Sequence, residues 1–141
     1  MEIAVSPLDH TARIEVRYAE TDAMAIVHHA VYPVWFEQAR TEIMRVHGVP
    51  FSEIEDAGYH SPLLSLEVEY IKPCRYGDFA DVHVTFGRID RLRFKFFYEV
   101  TVNGELRTKG STTHIFTYHD KPCRELPPKL MKTFLNSEPK A

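Results

Sequence analysis

Cysteine is scarce in this sequence of 141 residues: only Cys74 and Cys123 occur. Two thiols so far apart supply neither a disulfide framework nor the ligand spacing of a zinc site, so no metal and no cofactor is expected. Long apolar runs are missing too. No stretch approaches the roughly 18–20 residues of a bilayer span, and the acidic start MEIAVSPLDH lacks the pattern of a secretory leader. Neither sign of charge dominates. Seventeen basic and twenty acidic residues leave a net charge of −3, which gives no overall field toward nucleic acid, although a local basic patch stays open. Repeats, low-complexity segments and linkers are absent, and only about residues 1–8 and 136–141 look loose. The expectation is a soluble, cytoplasmic chain with reduced thiols and no membrane span. It forms one domain over 1–141, with its core at about 10–135.

What the sequence does contain is material for a core. Hydrophobic residues make up 44% and aromatic residues 12%, too much for a disordered chain. Such a length encloses one core and leaves little for a deep private active site, so a site completed by a second subunit is expected. Residues 12–18 alternate, with Ile14, Val16 and Tyr18 on one face, which predicts a half-buried strand. Residues 21–31 have no period and read as a loop. From about 30 to 47, Val31, Val34, Trp35, Ala39, Ile43 and Val46 recur at helical spacing, and Gly48 supplies a stop. Pro33 is tolerated only in a first turn, so the helix begins between His29 and Tyr32. Residues 50–57 predict a short second helix capped by Ser52 and ended by Gly58.

Strands follow. Leu66, Val68 and Tyr70 alternate with Glu67 and Glu69 in 65–71; Val82, Val84 and Phe86 do so in 81–89. Residues 93–102 put Phe94, Phe96, Tyr98, Val100 and Val102 on one side. Asn103-Gly104 is a strong hairpin signal, because both residues tolerate positive φ, and a long strand over 105–118 comes after it. One helix against an antiparallel sheet makes an α+β domain. Trp35, Phe36, Ile43 and Met44 lie on several sides of the helix, so the sheet should wrap it.

Chemistry concentrates in 18–40, YAETDAMAIVHHAVYPVWFEQAR. Asp22 falls in the loop before the long helix. A helix N-terminus offers unpaired N–H groups and partial positive charge, suited to an anion or a polarised carbonyl oxygen. A carboxylate just upstream can attack such a carbonyl or activate a water. The plainer alternative is that Asp22 or Thr21 satisfies loop amides.

The same segment resembles the 4-hydroxybenzoyl-CoA thioesterase family of hotdog-fold proteins. Within it, the resemblance is to the acyl-CoA thioesterase branch associated with the Tol–Pal system. Tyr18, Thr21, Asp22, Ile26, Val27, His29, Tyr32, Trp35-Phe36, Glu37, Ala39 and Arg40 match its signature. So do Val68-Glu69-Tyr70, Pro73, Arg75, Lys121-Pro122 and Leu126-Pro127, giving a match over about 12–135. The resemblance implies a helix wrapped by a five-stranded antiparallel sheet, homodimers with a continuous sheet that often pair into homotetramers, and sites at the dimer interface. It implies hydrolysis of an acyl-CoA or acyl carrier protein thioester. Asp22 is then the nucleophile or general base, and the His29 N–H polarises the carbonyl, while Tyr32 lies in the substrate site. Arg91 and Arg93, in the cationic turn of Arg88, Arg91, Arg93 and Lys95, match the place where the family meets nucleotide phosphate; ordinary edge-strand charge is the alternative.

Two positions depart from the signature. Ala25 replaces a glycine, which costs about 1 kcal/mol if φ there is positive. His28 replaces an aromatic residue and either lines the substrate pocket or stands partly exposed. Glu37, two turns into the helix, is a reserve catalytic carboxylate; its alternative is an ion pair with Arg40 or Arg75. Cys74 reads as packing. Rival functions are a hotdog dehydratase using His29 with Glu37, and a non-catalytic binder of acyl thioesters.

Overall fold

The structure, a computed structural model of the chain, describes residues 4–90, 92–123 and 125–137. In chain order the elements are β1 (Ala4–Glu15), α1 (Tyr32–Val46), α2 (Phe51–Asp56), β2 (Tyr59–His60), β3 (Leu63–Tyr70) and β4 (Phe79–Arg88). There follow β5 (Arg93–Val102), β6 (Glu105–Ile115), β7 (Thr117–Tyr118), β8 (Lys121–Pro122) and α3 (Pro128–Ser137). Five strands form one antiparallel sheet in the order β1-β4-β5-β6-β3. This is the α+β hotdog arrangement: α1 lies in the concave face of the sheet.

Helix and sheet meet through aromatic side chains. Trp35, Phe36, Ala39, Ile43 and Met44 of α1 are buried against Val82, Val84, Phe86, Phe94, Phe96, Tyr98 and Val100. Phe36 stacks flat on Tyr98 with ring centroids 4.2 Å apart. The helix approaches β6 so closely that Gly110 has no room for a side chain. A Cβ there would stand 2.7 Å from the Phe36 ring and also strike the Glu67 carbonyl. Pro33 sits in the first turn of α1, as its missing N–H requires. After the helix, Gly48 takes φ +82°, which only glycine adopts without steric cost. Asn103 and Gly104 both have positive φ and close the β5–β6 hairpin as expected.

Several expectations need correction. β1 begins at Ala4, inside a segment read as loose, and ends before Tyr18. Leu8, Ala12, Ile14 and Val16 are buried, but Tyr18 lies in a short 3-10 turn over Tyr18–Glu20 and is 77% exposed. Val16 bonds out of the sheet to the Asp78 carbonyl, which ends the alternation. Val34 and Val46 share the helical spacing yet are exposed; the buried stripe is 32, 35, 36, 39, 43 and 44. Pro50, not Ser52, caps α2, and no side chain bonds the cap. The long final strand breaks at Phe116, and its remainder, β7, joins β2 and β8 in a separate three-stranded sheet. α3 also went unforeseen: it spans Pro128–Ser137, where no element was expected, and only its last two residues fall in ground read as loose. Most informative is β3: Leu66 and Tyr70, expected on a core face, are exposed.

Candidate active site

The loop between β1 and α1 is held by its own backbone. Asp22 N–H donates to the Ile26 carbonyl at 2.8 Å, Ala25 N–H to the Asp22 carbonyl at 2.9 Å, and Met24 N–H to Asp22 Oδ1 at 2.8 Å. This tight reversal forces Ala25 to φ +62°, the conformation that a glycine would take without strain. Outside contacts fix where the loop sits. Val27 N–H reaches the Cys74 carbonyl at 2.9 Å, and His28 N–H reaches the Glu20 carbonyl at 2.9 Å.

Glu20 ties the loop to the helix. Its carboxylate is buried and accepts from Arg17 N–H at 2.8 Å and from the Trp35 indole N–H at 2.9 Å. Burial raises its pKa, but those two bonds and the Arg17 guanidinium outweigh it and hold the carboxyl below the usual range. Sequence reasoning passed over Glu20, because an acidic residue beside Asp22 carries no periodic signal of burial.

Together these contacts shape a cavity of about 290 Å³ whose wall includes Asp22, His29, Tyr32, Tyr70, Lys72 and Pro73, with Met24, Ile26, Val27 and Ile71 as its apolar part. Asp22, His29 and Tyr32 are thus brought together. The His29 carbonyl accepts from the Tyr70 hydroxyl at 2.8 Å, whereas its N–H has no acceptor among the described residues. α1 begins three residues on, after Val31 as an N-cap that offers no side-chain acceptor, and its first turn holds no acidic residue to offset the helix's partial positive charge. Tyr32 is buried edge-on to Trp35 and Tyr70 at 5.1 and 5.5 Å between centroids. Burial, with the Cys74 thiol beside it, drives its hydroxyl well above its ordinary pKa. Cys74 is itself fully buried and its thiol is pushed up by burial, as suits packing rather than attack.

Other expected residues lie elsewhere. The His28 ring stacks on His29 at 4.2 Å, with Nδ1 accepting from Ala30 N–H, and stays outside the cavity wall. Glu37 is exposed, 3.6 Å from Arg40, and borders a different cavity. Arg93 pairs with Asp90 at 2.8 Å. Its strand end lies beside Ile115, and Tyr70 faces Thr108, so within one protomer the two are roughly 20 Å apart along the sheet. Arg91 lies outside the described residues. Among the described residues no group of three or more His, Cys, Asp and Glu is placed to hold a metal ion. No helix among them is long and apolar enough to cross a membrane. Tyr70 and Lys72 were not singled out as wall residues. Alternation in 65–71 marks a strand but does not say that its end borders a cavity.

A carboxylate residue and a residue with an unpaired N–H near a helix start, both lining one largely apolar cavity, are a set that can act on a polarised carbonyl. Comparison with known proteins agrees with such chemistry. YneP of Bacillus subtilis (strain 168), a proposed acyl-CoA thioesterase, is 40% identical over 103 residues, 72% of this chain and 75% of that protein. The DHNA-CoA thioesterase of Staphylococcus aureus superposes with a TM-score of 0.84 at 34% identity, covering 91% of this chain and 89% of the other. A hypothetical protein of Thermus thermophilus, TT1821, does so with a TM-score of 0.85 at 30% identity, covering 91% and 98%. The family model of the thioesterase-like superfamily matches residues 16–134. Sequence, fold and site therefore converge: the chain belongs to the thioesterase-like superfamily.

Proposed function

We propose that the protein hydrolyses acyl-CoA thioesters in the Asp22 cavity. The observation that carries this is the shared wall: Asp22 and His29 line the same largely apolar cavity, and the His29 N–H has no acceptor among the described residues. The thioester carbonyl oxygen accepts from His29 N–H, aided by the positive end of α1. Asp22 then either attacks the carbonyl carbon, forming an anhydride that water opens, or takes a proton from the attacking water. In both routes the C–S bond breaks, CoA leaves as thiolate and takes up a proton, and the acid is released. The names of YneP and of the Staphylococcus enzyme support a CoA ester over other thioesters; an acyl carrier protein ester is the neighbouring possibility. Placement in the 4-hydroxybenzoyl-CoA thioesterase family and its Tol–Pal-associated branch rests on the motif alone. The two free cysteines suit a cytoplasmic location.

The working unit is a homodimer, built along β3, with a homotetramer as its further assembly. An exposed apolar edge strand invites pairing. Antiparallel pairing of β3 with its copy sets the partner's Leu63 end beside this protomer's Tyr70 end. The partner's Arg93, at the start of β5, thereby comes nearer this protomer's cavity, a position from which it can meet nucleotide phosphates. Glu37 remains in reserve. Asp22→Asn is expected to lower kcat at least about 100-fold with little change in KM, read as thiol release from a panel of acyl-CoAs. Equal rates in both proteins refute the role of Asp22. Tight acyl-CoA binding without thiol release by either makes the protein a binder.

A further inference from the structure

A second cavity, of about 340 Å³, opens on the same helix, bounded by Glu37, Arg40, Thr41, Tyr59, His60 and Ser61. The Arg40 side chain there is only 15% exposed, and its ion partner Glu37 stands 3.6 Å off, on the solvent side. That separation exceeds a hydrogen bond, so the guanidinium keeps donors to spare. Polar atoms continue inward. The Tyr98 hydroxyl, beside Arg40, shares a 2.7 Å hydrogen bond with Thr112 Oγ1, which lies 2.8 Å from His114 Nε2. The series then ends unmatched. The His114 ring lies against the backbone of Ser61 and Pro62, and the buried Ser61 Oγ has no partner among the described residues. Burying an unpaired polar atom is unfavourable, and Ser61 borders the cavity, so its Oγ is a candidate partner for a ligand atom or a water there.

We propose that this cavity receives the far end of the acyl group and selects for a hydroxyl there. A hydroxyl accepts from Arg40 and Ser61 and donates to Glu37, using both members of the separated ion pair. A plain alkyl end leaves those donors unmet, and a carboxylate end meets Glu37 and Glu55, which also borders the cavity. The reach is set by α1. Arg40 lies eight residues beyond Tyr32, about 12 Å along the helix, and the exposed Val34 stands on α1 before Glu37 and Thr41 of the second cavity's wall. An extended chain gains about 1.2 Å per bond, which corresponds to about ten carbon atoms.

The assignment rests on the thioester being held at Asp22, so the experiment has two arms. In the first, kcat/KM is compared for decanoyl-CoA, 10-hydroxydecanoyl-CoA and decanedioyl-CoA. The wild type should favour the hydroxylated ester over the plain one by at least about tenfold, and Ser61→Ala and Arg40→Gln should bring that ratio close to one. A wild-type ratio near one, a preference for the carboxylate, or a ratio unchanged in both variants overturns the proposal. Ser61→Ala removes a single oxygen and keeps the test open should Arg40→Gln fail to fold. In the second arm, calorimetry compares 10-hydroxydecanoate with decanoate, which needs no turnover. Selective binding of the hydroxy acid by a protein inert to all three esters retains the cavity assignment and removes the Asp22 mechanism. Turnover of all three at equal rates does the reverse.

Discussion

The two edges of the sheet are made of similar residues and finished differently. β1 buries Leu8, Ala12 and Ile14, has α3 packed beside it, and ties its outer face to β4 through Arg13–Asp81 and Thr11–His83. β3 pairs with β6 along its length, yet leaves Leu63, Leu64, Leu66 and Tyr70 about half exposed, with only Val68 more protected. The side chains of one edge strand are largely covered by the chain itself, and those of the other are left exposed. Alternating hydrophobicity says which side of a sheet a residue faces, not whether anything covers that side. An open apolar edge is an aggregation template unless a specific strand occupies it. That is why β3, and not β1, is the surface proposed for a second copy.

The strongest way to break the contrast is a charge on each edge. Leu66→Lys should weaken self-association more than about thirtyfold in sedimentation equilibrium, while Thr11→Lys on β1 leaves it unchanged. A wild-type monomer, or equal effects, removes the distinction. Acid gives a second test. His114 on β6, opposite Leu63 of β3, is buried, and burial, then the Arg40 charge, lower its pKa to about 4. Since the unfolded chain takes up this proton near pH 6.5, His114 leaves full stability above pH 6.5. As pH falls from there toward 4, up to about 3 kcal/mol is lost, and nothing more below. Denaturation curves at stepped pH should show this slope, and His114→Phe should flatten it. Gly110→Ala, which drives a methyl into Phe36 where α1 meets the open side, should cost about 2 kcal/mol. The smallest change has the opposite sign: Ala25→Gly should relieve the +62° backbone of the loop and raise stability by at most about 1 kcal/mol. A loss instead would show that the loop holds Ala25 without strain.

These residues also show how far the sequence was readable. β5 was bounded correctly at both ends and on the correct face, and the 103–104 hairpin and the start of α1 followed from two-residue and one-proline signals. All of these are decided locally. The misjudged features depend on what lies across space: Val34 and Val46 share a helical face with no cover, β1 runs on because β4 is there to pair with it, and β7 leaves the main sheet to meet β2. The site follows the same division. Asp22, His29 and Tyr32 lie close in sequence and meet in one cavity, whereas Tyr70 and Lys72 arrive from a strand some forty residues away. Glu20 was missed because its importance lies in a bond to Trp35, fifteen residues on. Arg93 sits at the far end of the sheet, and only assembly can bring its like to the cavity.

The hydrogen bond from the Tyr70 hydroxyl to the His29 carbonyl joins the open strand to the peptide that follows the candidate oxyanion donor, within the same residue. Whatever orders the end of β3 also orders that donor. The pairing proposed along β3 would make catalytic competence a property of concentration: diluted below its dissociation constant, the protein would keep its fold but lose activity per chain, and would regain it on reconcentration.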